Sequence, residues 1–253
     1  MIQLMHGDCL ELMKQIPDGS IDAIITDPPY GTTACKWDSV IPFDLMWEQL
    51  NRIIKPNGAI VLFAQQPFSS FLLCSNVKSF RHRFLWEKDK CANFMVAKAQ
   101  PLKYTEDILV FCNVGFLKNQ FGNITGTYNP QMREGKGNDR DLQKIVNKSK
   151  NLDDINKREN PTKLKSANNS AKQRFPKDIL NITTEHNRLH PTQKPILLME
   201  YLIKTYTNEN ETVLDFTCGS GSTLVACKNT NRNAIGIEMD ENYFNIAKTR
   251  INQ

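Results

Sequence analysis

A doubly wound α/β fold is predicted by three observations. Short β-type runs recur that are apolar at nearly every position, helical patterns lie between them, and stop signals separate the two. Runs apolar on both faces are what a parallel sheet covered by helices on each side requires. In chain order the strands are Ile21–Thr26 (IDAIIT), Ala59–Phe63 (AIVLF), Ile108–Phe111 (ILVF), Val213–Phe216 (VLDF) and Ala234–Glu238 (AIGIE). The first ends in DPPY, where two consecutive prolines lack backbone donors, so neither a central strand nor a helix interior can continue there. Phe43–Ile54 follows as a helix, with Leu45, Met46, Leu50, Ile53 and Ile54 at spacings of three and four, and Lys55-Pro56-Asn57-Gly58 reads as its stop. Pro195–Lys204 and Ser222–Asn229 are further helical patterns.

The bulk properties set the class. A chain of 253 residues, 40% hydrophobic and 23% charged, is long enough for one large α/β domain with an insertion. No apolar run approaches the roughly 18 residues of a membrane span, and an acid interrupts MIQLMHGDCLELMK too early for a signal peptide. The seven cysteines are scattered without a CxxC pair, which points to reduced thiols in a cytoplasmic protein and away from a zinc knuckle. A net charge of +5 suggests a polyanionic partner only weakly. Its distribution says more. Residues 115–189 are rich in Asn, Lys, Ser and Gly and carry about 15 Lys and Arg against about 8 Asp and Glu. This stretch is either a solvated insertion or a basic module lying along phosphates, and the anchors Tyr128-Asn129-Pro130-Gln131-Met132 and Phe175-Pro176 favour order within it.

In VLDFTCGSGSTLVACKN, a strand ending in Asp215 leads through Gly219-Ser220-Gly221-Ser222-Thr223 into a helix. The glycines allow a tight turn and close backbone approach, and the helix start offers free amides. The full GxGxxG pattern and the GK[ST] triplet are both missing, which weakens the dinucleotide and P-loop readings. About twenty residues on, the next strand ends at Glu238, placed to accept both ribose hydroxyls of an adenosine-containing cofactor.

Taken together, DPPY at Asp27–Tyr30, HPTQKP at His190–Pro195 and DFTCGSGST at Asp215–Thr223 resemble the β class of amino-group DNA methyltransferases. GDCLELMKQIPDGSID, KPNGAIVLF, TEDILVF and GIEMDENYFNIAKTRI extend the likeness over most of the chain, and DPPYGTTACKWDSVIPFDLMW with YNPQM looks most like the adenine methylases of phages and prophages. The resemblance implies a seven-stranded methyltransferase sheet with one antiparallel strand. It implies a catalytic half over 1–114, a basic target-recognition insertion over 115–189 and a cofactor-binding half over 190–253. The implied cofactor is S-adenosylmethionine, the implied partner is double-stranded DNA, and no metal is needed because the sulfonium is already an activated methyl donor.

Site roles follow from the same resemblance. Asp27 and the Pro28 carbonyl are expected to accept the hydrogens of the target amine, with Pro28 and Pro29 fixing the geometry. Tyr30 stacks on a base turned out of the duplex, so its hydroxyl should matter little. Asp8 and the Cys9 amide match the position that holds the cofactor adenine, and Glu238 with Met239 the ribose. Asp215, Gly219 and Gly221 shape the methionine side, Asp27, Phe216, Ser222 and Thr223 border the cofactor, and Thr192 and Lys194 lie at its carboxylate, although Lys194 could also be a plain helix-start charge. His190 reads as a structural hydrogen-bonding residue and not as a base. A monomer or a homodimer, with or without a cognate restriction endonuclease, fits this picture. The alternatives are cytosine-N4 methylation, whose enzymes more often carry Ser at the position of Asp27, RNA methylation, and a silent nucleic-acid-binding module. Cytosine-C5 chemistry needs a nucleophilic Cys beside Pro, and no Pro-Cys pair occurs.

Overall fold

Ile21–Thr26 (β2) is buried at every position, as a strand covered on both faces must be. The computed structural model describes residues 1–32, 38–91, 93–115, 125–134, 173–185, 189–190 and 192–253. Around β2 are β1 (Ile2–His6), β3 (Ile54–Ala64), β4 (Phe80–Glu87), β5 (Thr105–Phe111), β6 (Arg133–Glu134), β7 (Gln173–Arg174), β8 (Ile179–Asn181), β9 (Thr212–Asp215) and β10 (Asn233–Glu238). The main sheet has the order β1-β10-β9-β2-β3-β5-β4-β8. Only β5 is reversed, pairing antiparallel with β3 and with β4. The seven-stranded sheet with one antiparallel strand is therefore present, and the three-residue β8 extends it along β4.

Helices cover both faces: α1 (Cys9–Met13), α2 (Phe43–Ile53) and α3 (Phe68–Ser75) on one, α4 (Ile196–Tyr206) and α5 (Ser222–Asn229) on the other, with α6 (Glu241–Ile251) beside β1 and β10. Alternation along β2 divides its side chains between the two cores. Ala23 and Ile25 join Leu198, Leu202 and Leu224, while Ile24 joins Met46, Leu50 and Ile53. The Lys55–Gly58 stop signal does not make a turn. β3 begins at Ile54 and runs through it, and the β2 pairing slips between Ile21–Ile54 and Ala23–Ala59 to absorb the extra residues. Asp22 anchors this irregularity by accepting from Lys55 Nζ at 2.6 Å and from the Thr212 amide at 2.9 Å.

The chain divides into two compact units, Met1–Asn129 with Asp178–Gln253, and Pro130–Lys177. The larger holds the eight-stranded sheet. In the smaller, β6 and β7 pair antiparallel and Arg133 Nε donates to the Phe175 carbonyl at 3.0 Å. Most of the basic stretch expected as an insertion, residues 116–124, 135–172 and 186–188, lies outside the described residues. Within the larger unit Asn129 is clasped to the end of α4, its amide donating to the Thr205 carbonyl at 2.7 Å and its side chain to the Thr207 carbonyl at 3.1 Å. Among the described residues no helix is long and apolar enough to cross a membrane.

One contact sets how closely α5 lies on the sheet. A Cβ on Gly236, in the middle of β10, would stand 2.5 Å from Leu224 Cδ1 and 3.2 Å from Cys218 Sγ, and Leu224 has no exposed surface. Gly236→Ala is expected to lower unfolding free energy by about 1–3 kcal/mol through overpacking. Chemical denaturation of the variant checks this, and an unchanged midpoint would mean that α5 shifts freely.

Candidate active site

Where β9 and β2 lie side by side, the chain leaves them in opposite directions across the sheet, β9 toward β10 and β2 toward β3. Open α/β sheets bind ligands in the crevice at such a switch point, beyond the C-terminal ends of the strands. DPPY follows β2 and the glycine loop follows β9, so both motifs meet here.

A buried carboxylate joins them. Asp215 Oδ1 accepts from the Thr26 hydroxyl at 2.6 Å and from the Thr217 amide at 3.2 Å, and Oδ2 accepts from the Thr223 hydroxyl on α5. Thr217 in turn donates from its hydroxyl to the Asp27 carbonyl at 3.0 Å. Asp215 thus shapes the loop from within. Burial pushes its carboxyl up to about 6 against these hydrogen bonds. Phe216 is in the core beside Leu214 and Ile237, so it offers a ligand only its backbone. Thr223 is equally buried, and Ser222 Oγ lies 3.3 Å from Arg250 Nη1, which also reaches the Ser220 carbonyl at 2.7 Å.

The cradle above this tie fits a nucleoside cofactor. Gly219 and Gly221 take positive φ, 52° and 79°, and a Cβ on Gly221 would stand 3.0 Å from Ala247 Cβ. Glu238, half-buried at the end of β10, accepts one backbone amide on each oxygen, from Gly219 at 2.7 Å and from Asp240 at 2.8 Å. Each oxygen keeps a lone pair for a ribose hydroxyl. Asp8 caps α1 through Oδ1, accepting from Leu10 at 2.8 Å and Glu11 at 3.3 Å. The Cys9 thiol is pushed up to about 12 by burial and by Asp8, and stays protonated. Met239 is 71% exposed beside this edge. His190 accepts at Nδ1 from the Thr192 amide at 3.2 Å and packs edge-on against Tyr243. Burial, with Lys194 nearby, lowers it to about 4. Gln193 stitches the cradle to this segment, accepting from Ser220 Oγ at 3.1 Å and from the Leu189 amide at 3.0 Å.

Lys194 reaches the DPPY side of the crevice. Its ammonium pairs with Asp27 Oδ2 and, at 2.9 Å, with Glu106 Oε1, and it lies 5.0 Å from the Phe63 ring centroid. Glu106 Oε2 also pairs with Lys88 at 2.9 Å. The Tyr30 hydroxyl donates to Asp27 Oδ1 and lies 3.2 Å from Glu106 Oε1, so it is not idle. Its ring stacks on Phe68 with centroids 5.0 Å apart. Asp38 fixes the backbone of the turn, accepting from the Tyr30, Gly31 and Thr32 amides at 2.8–2.9 Å. The result is a chain of alternating charge, Lys88–Glu106–Lys194–Asp27, closed by a phenol.

Burial holds Asp27 above the ordinary carboxylate range despite Lys194, with the Glu106 anion adding to the effect. For Glu106 burial acts upward too, but Lys194 and Lys88 outweigh it and the net direction is down. Burial opposes the charge on Lys194, and Asp27 with Glu106 overrides that opposition and raises it. The Asp27 side chain retains 19% exposure, enough for a ligand to reach it, whereas Lys194 retains 9% and Glu106 8%. Such a site can accept hydrogens from an amine and present it to an electrophile. Sequence reasoning missed Glu106, Lys88 and Gln193. An acid opening the apolar strand TEDILVF is the signal that marks Glu106.

The N6/N4 family of DNA methylases matches residues 21–249, a span that takes in DPPY and the glycine loop. The chain belongs to this family. As a member it is a DNA methyltransferase, and S-adenosylmethionine is the methyl donor of that class. The Type II methyltransferase M.HpaI of Haemophilus parainfluenzae is 27% identical over 263 residues, covering 98% of this chain and 74% of that protein. The DNA adenine methyltransferase YhdJ of Escherichia coli (strain K12) is 25% identical over 266 residues, covering 98% and 82%. The crystal structure of the M1.HpyAVI–SAM complex superposes with a TM-score of 0.63 at 26% identity, covering 100% of both chains.

The Asp215 tie has a measurable cost. An ordinary Asp near 3.8 raised to about 6 binds more protons folded than unfolded between those values, so its contribution to stability falls as pH rises through that window. Asp215→Asn removes the dependence. The stability of the variant relative to the wild type should gain up to about 3 kcal/mol between pH 4 and pH 6 and stay level above that. Denaturant titrations of both proteins across this range provide the check, and parallel curves would place the Asp215 carboxyl at its ordinary value.

Proposed function

We propose that the chain transfers a methyl group to the N6 amino group of adenine at specific sites in double-stranded DNA. The observation that carries this reading is the Asp27 carboxyl at the switch point, paired with Lys194 and backed by Tyr30. Adenine's exocyclic amine is a poor nucleophile because its lone pair is delocalised into the ring. Acceptors on its two hydrogens shift the nitrogen toward a tetrahedral amine, and the Asp27 side chain with the Pro28 carbonyl supplies two. S-adenosylmethionine supplies an activated methyl when bound in the Gly219–Glu238 cradle. The nitrogen lone pair forms the new N–C bond as the S–C bond breaks, and one amine proton must leave. Asp27, held above the ordinary carboxylate range, is the better proton acceptor for it.

The aspartate that opens DPPY supports adenine over cytosine, and the likeness to an adenine methyltransferase along nearly the whole chain points the same way. Tyr30, propped by Phe68, gives the extrahelical base a stacking face. Lys194 and Glu106 keep Asp27 oriented until the amine arrives. To the cradle we assign Asp8, Cys9, Gly219, Gly221, Glu238 and Met239, with Thr192 at the methionine carboxylate. Residues 115–189 are assigned to target recognition, and the Type II relatives support a place in restriction-modification.

Asp27→Ala should abolish methyl transfer in single turnover while cofactor affinity is kept. Tyr30→Ala should lose about 1–3 kcal/mol of stacking. Tyr30→Phe keeps the ring but loses the donor to Asp27, so it should retain binding and slow the transfer. Mass analysis of digested DNA must place the methyl on the adenine amino group; methyl on cytosine, or near-normal rates for Asp27→Ala, would overturn the reading.

The charge chain also fixes a pH response. Transfer requires ionised Asp27, so the rate rises with pH through its raised pKa. Lys194→Met removes the cation that lowers that pKa and should move the acidic limb of the single-turnover profile to higher pH. Glu106→Gln removes an anion that raises it and should move the limb to lower pH. Shifts of the same sign in both variants would contradict this electrostatic assignment.

A further inference from the structure

The connection between β4 and β5, residues 88–104, starts and ends beside the charge chain just described. Lys88 pairs with Glu106, and the Lys88 amide donates to the Tyr104 carbonyl at 2.7 Å to close the base of the loop. Asn93 braces the interior. Its Oδ1 accepts from the Lys103 amide at 2.7 Å and its Nδ2 donates to the Pro101 carbonyl at 3.3 Å. Beyond Asn93 the chain makes a short 3₁₀ turn, Phe94–Val96, held by Val96 to Asn93 and Ala97 to Phe94 backbone bonds of 3.1 and 3.2 Å.

This built turn points its apolar side chains outward. Phe94 is 67% exposed and Met95 83%, while Lys90, Lys98 and Lys103 on the same loop are exposed as well. The single acid of the segment, Asp89, accepts from the Thr184 amide and hydroxyl at 2.8 and 2.7 Å. An ordered turn that holds a phenyl ring and a thioether in water has an unburied apolar surface whose free energy a partner can recover. The lysines identify the partner's charge. A second copy of this chain meeting the same patch would bring like charges together, as a two-fold contact pairs a surface with itself. A polyanion would neutralise them.

We propose that the Phe94–Met95 turn is a wedge that enters duplex DNA beside the target base, filling the space left when that base turns out toward Asp27, with Lys98 and Lys103 against the flanking phosphates. The inference rests on the reading of the site as one that methylates a base in duplex DNA. Turning a base out costs a few kcal/mol of stacking and pairing, and apolar side chains inserted at the vacated step offset part of that cost. The wedge and the Tyr30 face would then act on the same event from opposite sides, one occupying the hole and the other the base.

The test uses a duplex carrying the sequence that the wild-type protein methylates, with 2-aminopurine at the target position, and the same duplex with the target base mispaired. Phe94→Ser/Met95→Ser should bind the paired duplex at least about tenfold more weakly, with most of the wild-type fluorescence rise missing, and should regain affinity when the base is mispaired and already easy to open. Lys98→Ala/Lys103→Ala should weaken both duplexes and flatten the log–log salt dependence by about 2. Melting temperature and S-adenosylmethionine affinity should stay at wild-type values in both variants. If the serine variant binds and opens the paired duplex as the wild type does, or changes only the sedimentation of the protein alone, the turn is not a DNA wedge. Failure of the wild type to methylate any duplex would remove the functional reading itself, a result separate from either variant.

Discussion

Asp215 is the interaction on which the architecture of the site depends. Its carboxylate reaches Thr26 at the end of β2, Thr217 in the glycine loop and Thr223 in the first turn of α5, with almost no exposed surface of its own. Three parts of the chain that sequence alone leaves far apart are thereby held in one geometry. Burying a carboxylate is unfavourable unless it is hydrogen-bonded, and here both oxygens are engaged. The same tie keeps the glycine loop in register with DPPY, because Thr217 continues the chain of hydrogen bonds to the Asp27 carbonyl.

From that anchor the two halves of the site divide their work. The cradle beyond β9 and β10 is built mostly from backbone, with glycines at positive φ and one half-buried glutamate. Beyond β2 the site is built from charge, with two cations and two anions alternating under a stacked aromatic pair. A backbone cradle recognises a ligand by shape and hydrogen bonds, whereas a buried charge chain sets the protonation of one reactive group.

How much was legible in the sequence follows from what each signal measures. Ile21–Thr26 and Ser222–Asn229 are read to the residue, because a strand apolar throughout and a glycine-started helix have strong local signatures. β4, FRHRFLWE, was missed because its arginines and histidine mask a strand whose Phe84 and Trp86 are buried. Lys55–Gly58 misled in the other direction, since a proline and a glycine that usually end an element are carried here within β3 by a slipped register. For the candidate site, motifs single out Asp27, Tyr30 and Glu238. Glu106 was not, because its meaning depends on pairing across the sheet to Lys194, 88 positions away in the chain, and no local pattern encodes that distance.

The strand order also carries a consequence for how the chain folds. β4 and β5 pair across a short connection, Glu87 opposite Thr105, while β2 meets β9 through contacts such as Thr26 to Asp215, 189 positions apart. Loop-closure entropy makes the second contact costlier by about 2 kcal/mol, and contacts of long sequence separation form late. The β3-β5-β4 side of the sheet, with DPPY at its border, can therefore assemble before β9 arrives. Synthesis from the N-terminus reinforces that order, since β9 leaves the ribosome last among the strands except β10. Methyl-transfer competence therefore waits on the long-range docking of β9 beside β2, and of β10 beyond it.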